Sequence, residues 1–286
     1  MRKQLMAVLV VLLVGLSGCA GMSPFEDTPT ESDSTADTES TEPAATTTQP
    51  TSPDPNVERP PGWNETGVED FPTTYNQHYE ALYSHDNFTR ISNWTAFDPG
   101  QYLHRVAYID QSSKQQHWNT TLIDSGNQTI HEEQYQKDDT LYYTNRSDPP
   151  TYNSTSRYSF DTYMKFETNR RIGKSGPVYY TLWSPQYTDS ERVLYDGETM
   201  FRYTSTQLRN ESLKLDFLPP ILDNMTVEEF NMTTIVDSEG MIRSSEYEVT
   251  YTIEGGESHT RTGLLQFDVD ETTVTEPAWV EEAKAD

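Results

Sequence analysis

Few groupings in this 286-residue chain have the types and spacing of a reactive site. His131-Glu132-Glu133-Gln134-Tyr135 begins like the His-Glu-x-x-His helix that holds zinc between two histidines one turn apart, but the second position is Tyr135. The run also reads as a strand. Gly173-Lys174-Ser175-Gly176 has the residues of a nucleophilic serine turn without the Gly-x-Ser-x-Gly spacing that lifts the hydroxyl onto a tight elbow. Asp268, Asp270 and Glu271 alternate as a Ca²⁺ cage would, yet acids are so common here that a solvated strand end is the simpler reading. His78, His85, His104, His117 and His259 show no ligand spacing, so each reads as a surface or satisfied core histidine. The residues imply no catalytic set, no metal and no cofactor, and the chain reads as non-catalytic.

One reactive residue has the right surroundings. Cys19, the only cysteine, ends the run Leu16-Ser17-Gly18-Cys19, which follows Arg2, Lys3 and a short apolar stretch from Leu5 to Leu16. A basic start, a short apolar core and small residues before a cut are the marks of a signal peptide. The stretch is well below the roughly 20 residues a helix needs to span a bilayer. Residues 1–18 are therefore expected to be removed and the Cys19 thiol to carry lipid. The protein would then be anchored at the cell membrane and face the exterior. Arg2-Lys3 is a weak twin-arginine signal, so the export route stays open. With Cys19 lipidated, no disulfide is available, and stability must come from a core.

Ten of the thirteen asparagines open an Asn-x-Ser/Thr sequon: Asn64, Asn87, Asn93, Asn119, Asn127, Asn145, Asn153, Asn210, Asn224 and Asn231. Glycosylation of an exported protein explains the excess. A polar strand face also does, because residues i and i+2 share a face and Asn alternating with Thr writes sequons by itself.

The charge narrows the partners. The net charge is -26, with 46 acids against 20 bases. Phosphate contacts need a basic patch and none is present, so nucleic acid is excluded as a partner. Acidity of this size repels itself in dilute salt and is relieved where salt shortens the screening length, which points to a halophilic, haloarchaeal protein.

The elements that would position any site divide the chain. Residues 19–66 are rich in Thr, Ser, Glu, Asp and Pro and too poor in apolar residues to fold, so they read as a stalk, either O-glycosylated or a plain linker. Residues 67–286 read as one β-rich domain. Phe71, Tyr75, Tyr79, Leu82 and Tyr83 recur at helical spacing. The period then becomes two, which predicts strands over 88–97, 101–110, 115–123, 128–136, 140–144, 178–183, 193–196, 199–204 and 227–236, then from Glu246 to Ile253 and through Leu265, Phe267 and Val269. Asp196-Gly197 reads as a hairpin turn. The apolar segment 213–222 reads as a short helix or a covering loop. The expectation is an α+β fold: a mainly antiparallel, curved sheet forming a half-open β-barrel, with an N-terminal helix and a few short helices.

Several runs carry a family resemblance: the Cys19 lipobox with its Thr/Glu-rich tail, His78 and Leu82 leading into Phe88-Thr89, Tyr195-Asp196-Gly197, and Gly240-Met241-Ile242-Arg243. The closing Phe267-Asp268-Val269 and Thr272-Thr273-Val274-Thr275-Glu276-Pro277-Ala278-Trp279 complete it. On these the chain resembles a family of haloarchaeal surface lipoproteins of unknown function, itself similar to the LolA and LppX/LprG lipoprotein carriers. The resemblance implies a LolA-like half-barrel with an apolar cavity for a lipid or another hydrophobic ligand, and it supplies no functional residue. Against this stands a structural or adhesive surface protein with a packed core. An apolar cavity of several hundred Å³ would favour the first.

Overall fold

The computed structural model describes residues 52–95, 101–124, 126–145, 150–156, 159–161, 177–209, 225–253, 256–269 and 272–285. Cys19, Asn210, Asn224, the Gly173–Gly176 run, Asp270, Glu271 and the segment 213–222 lie outside the described residues.

The chain enters through a two-residue pair, β1 (Trp63–Asn64) with β2 (Gly67–Val68), and then helix α1 (Phe71–Tyr83). Strands β3 (Asn87–Thr95), β4 (Tyr102–Asp110), β5 (Gln115–Ile123), β6 (Thr129–Lys137), β7 (Thr140–Asn145) and β8 (Thr151–Thr155) follow as one antiparallel meander. Helix α2 (Pro177–Trp183) precedes a second meander: β9 (Asp189–Tyr195), β10 (Glu198–Ser205), β11 (Met225–Val236), β12 (Ile242–Ile253) and β13 (Ser258–Asp268). Helix α3 (Val280–Ala285) closes the described chain. The two meanders join where β3 pairs with β13, from Thr89↔Asp268 to Trp94↔Gly263. The result is one sheet of eleven strands in the order β8-β7-β6-β5-β4-β3-β13-β12-β11-β10-β9. It is not closed, and β8 and β9 are its edges. This is the α+β, mainly antiparallel architecture that the alternation predicts.

Strand alternation builds the core. Phe88, Ala107, Ile109, Trp118, Phe201, Tyr203, Leu265 and Phe267 lie in one cluster on one face of the sheet, and α1 and α2 cover them. Each large side chain buried there stabilises by about 1.5–3 kcal/mol relative to exposure. Helix α1 starts at Asp70, whose Oδ2 accepts the Thr73 hydroxyl at 2.6 Å, with Pro72 in the first turn. It stops at Ser84, whose hydroxyl donates to the Ala81 carbonyl at 2.7 Å. The buried stripe is Thr74, Tyr75, His78, Ala81 and Leu82. The Asp196-Gly197 hairpin forms as expected, both residues having positive φ (51° and 83°), the geometry of a type I′ turn.

Two expectations need correction. Residues 178–183 form helix α2, not a strand. Val178, Tyr179, Tyr180, Thr181 and Leu182 are all buried, so the segment is apolar on every side and its periodicity cannot tell helix from strand. The ordered chain also begins before residue 67. Trp63 is only 5 % exposed and packs on Tyr203 and Tyr187, at ring-centroid distances of 4.3 and 5.7 Å. Val57 is held by its carbonyl, which accepts from the Arg192 guanidinium at 3.1 and 3.2 Å. One tryptophan in a polar tract anchors it without altering the composition.

Polar groups are built into the core on both sides. Gln116 and Gln136 are fully buried, and Gln116 Nε2 donates to Gln136 Oε1 at 2.6 Å while its Oε1 accepts from Trp118 Nε1 at 2.9 Å. On the opposite face Trp279, Val280 and Ala283 pack against Tyr135, with Tyr142 and Tyr152 beside them. That cover over the β6–β8 end explains strands that carry apolar residues on both faces.

Candidate functional site

Beside α1 the sheet face is filled, but under α2 it opens. A cleft of about 250 Å³ lies between α2 and the three central strands. Ser92 and Trp94 of β3, Tyr180 of α2, Tyr247 of β12, and Gly263 and Leu265 of β13 line it, with Arg261 and Ser245. Helix α2 is fixed over it by Phe71 of α1, whose ring meets Tyr179 at 5.1 Å and Trp183 at 5.4 Å, both edge-on. The wall depends on one glycine. A Cβ on Gly263 would sit 2.0 Å from Tyr247 Cε1, so only glycine lets the Tyr247 ring lie across β13.

The polar groups of the cleft are few and placed. Arg261 is buried, and its Nε and one terminal nitrogen donate to the Thr95 carbonyl at 3.0 and 2.7 Å. Burial lowers the Arg261 pKa, while the neighbouring Tyr247 and Tyr251 oppose that shift. Burial raises the Tyr247 phenol, and the Arg261 charge pulls it back. Ser92 is 2 % exposed, and among the described residues its hydroxyl has no hydrogen-bond partner. A chain of hydroxyls runs into the wall: Tyr187 to Thr234 at 2.8 Å, Thr234 to Ser245 at 3.2 Å, and Thr181 to Ser245 at 3.4 Å. Next to the cleft Phe230, Met232 and Val249 form a second apolar cluster, with Leu208, Val227 and Tyr247 packed on it. Such a site can hold an apolar group and orient one polar atom. Among the described residues it has no nucleophile with a base beside it, and no three His, Cys, Asp or Glu gather as a metal site.

Residues 4–283 match a family whose description is "Family of unknown function (DUF7537)". The chain belongs to it. No curated protein matches this member of the family. Among solved structures, lipoprotein LppX of Mycobacterium tuberculosis is 11% identical, with a TM-score of 0.36, covering 72% of this chain and 98% of its own. LprF of Mycobacterium bovis is 9% identical, also at 0.36, covering 74% and 99%. The open sheet of this DUF7537 member is defined by its own strand pairing.

Of the described residues singled out in the sequence, Asn93 lines the cleft and the others do not converge on it. Asn119, Asn127, Asn153 and Asn231 are exposed and scattered over β5, the β5–β6 turn, β8 and β11. Asn64, Asn87 and Asn93 are half-buried. Asn64 Oδ1 accepts from the Thr66 amide and hydroxyl at 2.8 and 2.9 Å, Asn87 Oδ1 accepts the Thr272 amide at 3.4 Å, and the Asn93 side chain bonds to His104. Asn145 ends β7. The zincin-like run lies in β6, where side chains alternate between faces. Glu133 bonds to His117 of β5 at 2.7 Å, and His131 bonds to Thr121 at 3.1 Å. Sequence reasoning missed Arg261, Gly263 and Ser92. Each follows the strand alternation, and only the pairing of β3, β12 and β13 brings them under one helix.

Proposed function

We propose that this protein is a non-catalytic lipoprotein, anchored outside the cell membrane through Cys19, that takes one apolar chain or ring into the cleft beneath α2. The observation that carries the reading is the cleft: aromatic and aliphatic walls, a glycine that makes room for a ring, and one unpartnered hydroxyl at Ser92. At about 250 Å³ it falls just below the roughly 300–1,000 Å³ of common small-molecule sites, so it suits the end of a single acyl chain or one ring system. The signal segment, the lone Cys19 and the polar tract support the anchor, and they would hold the β-domain beside a source of such ligands. The sequons support glycosylation, and the acidity supports a haloarchaeal origin. A packed structural or adhesive domain is the second reading, favoured by the filled core beside α1.

A fluorescent fatty acid titrated into the purified protein separates the two. Saturable one-to-one binding that Leu265→Trp abolishes, with the fold intact by circular dichroism, supports the ligand reading. Absence of saturable binding, together with no co-purifying lipid by native mass spectrometry, leaves the packed-core reading standing.

A further inference from the structure

A second cavity, of about 630 Å³, lies at the end of the sheet where the β9–β10 and β11–β12 turns meet the N-terminal segment. Arg243 belongs to its lining, and Arg243 is unusual in two ways. It is the extra residue of a bulge: Ser244 pairs with Ile235 and Ile242 with Val236, so nothing opposes Arg243 on β11. A bulge re-aims the side chain of the residue it inserts, and bulges concentrate beside functional sites. Arg243 is also only 9 % exposed, yet its Nε is sealed from solvent without a partner. Among the described residues it forms no hydrogen bond or ion pair.

The carboxylate of Asp237, which also lines the cavity, does not answer it. Asp237 feels the Arg243 charge, but its Oδ1 is already taken by the amides of Glu239 and Met241, at 3.0 and 2.9 Å, in the β11–β12 turn. A buried guanidinium held without a partner destabilises a fold, and replacing such charges with apolar groups is often neutral or stabilising. Its fork of donors matches a planar carboxylate. The cavity rim has the opposite sign: Asp54, Glu198 and Glu239 are exposed around it. The Asp54 wall is fastened, its amide donating to Thr199 Oγ1 at 2.7 Å. A simple anion would have to pass three carboxylates, and a simple cation would meet Arg243. A ligand with a carboxylate and an ammonium group satisfies both.

We infer that this cavity binds a small zwitterion of the amino-acid type, its carboxylate on Arg243 and its ammonium toward the acidic rim. The site is separate from the cleft under α2 and does not depend on it. The test is a thermal-shift screen of the purified full chain against the twenty protein amino acids. Calorimetry of the best binder follows, alongside its des-amino acid and its decarboxylated amine. The zwitterion is expected to bind saturably, and loss of either charged group should weaken it by at least about tenfold, the scale of a charged hydrogen bond. Arg243→Met should remove the binding while leaving the ligand-free thermal midpoint unchanged or higher, whereas a merely structural arginine would lower it. Glu198→Gln with Glu239→Gln should weaken the zwitterion and strengthen the des-amino acid, a readout that does not require the arginine variant to fold. The inference is overturned if no amino acid binds saturably, if the amine binds as well as the zwitterion, or if Arg243→Met binds like the wild type.

Discussion

Acidifying the protein from pH 7 to pH 5 should destabilise it by about 2 kcal/mol through His78 alone. His78 is fully buried in α1, and its Nδ1 accepts the Ile242 amide at 3.0 Å, which fixes the neutral ring with the proton on Nε2. Burial, and then the nearby Arg90 charge, lowers its pKa from 6.5 to about 3. The unfolded chain takes up a proton below about 6.5 and the folded chain only near 3, so the unfolded state binds more protons across that window. Stability is complete above pH 6.5 and drains away as the pH falls toward 3. Each unit of displacement is worth about 1.4 kcal/mol, and at pH 5 roughly one and a half of them are realised. Urea unfolding followed by tryptophan fluorescence at pH 7, 6 and 5 measures the loss. Carboxylates titrate in the same range, so the comparison is with His78→Asn, whose amide oxygen can still accept from Ile242. The wild type should lose about 2 kcal/mol more than the variant between pH 7 and pH 5. Equal losses, within about 0.5 kcal/mol, would show that His78 is not the buried neutral ring described here.

Gln136→Leu strands the Gln116 amide in the core and should cost about 1–3 kcal/mol in chemical denaturation. Gly263→Ala drives a methyl into the Tyr247 ring, so it should destabilise by about 1–3 kcal/mol and also weaken binding of a fluorescent fatty acid. Cys19→Ser should leave the precursor uncleaved or release the protein to the medium, and unchanged membrane retention and gel mobility would refute the anchor. Asn119→Gln, at an exposed strand position, should lower the mass of protein from its native host by one glycan, as read by intact-mass spectrometry.

What was legible in the sequence followed from local periodicity. Helix α1 is bounded as its spacing predicts, and β13 alternates in space as it does in sequence, whereas β12 opens with four buried residues, Ile242 to Ser245, ahead of the stretch where alternation was expected. Helix α2 was illegible because a short run buried on all sides has no phase. Trp63 was illegible because its partners, Tyr187 just before β9 and Tyr203 on β10, lie far along the chain. The same limit hid both cavities. Arg261 follows the strand alternation, and nothing between Ile235 and Ser244 announces that Arg243 is a bulge. Alternation fixes which face a residue takes, but not which distant strand lies beside it.

The pairing of β3 with β13 has a kinetic consequence. Each meander is built from neighbouring hairpins and can form locally, but the two join only through their first and last strands, Thr89 against Asp268. Long-range pairings of this kind slow folding, because loop closure must precede any gain. Until β13 has been delivered, β3 carries a bare inner edge, and such edges template association with other chains. His78 has the same dependence, since its partner Ile242 belongs to the second meander. A chain threaded across a membrane from its N-terminus would therefore remain without its central seam until nearly all of it had crossed, and a truncation before β13 would leave two half-sheets rather than a smaller version of the fold.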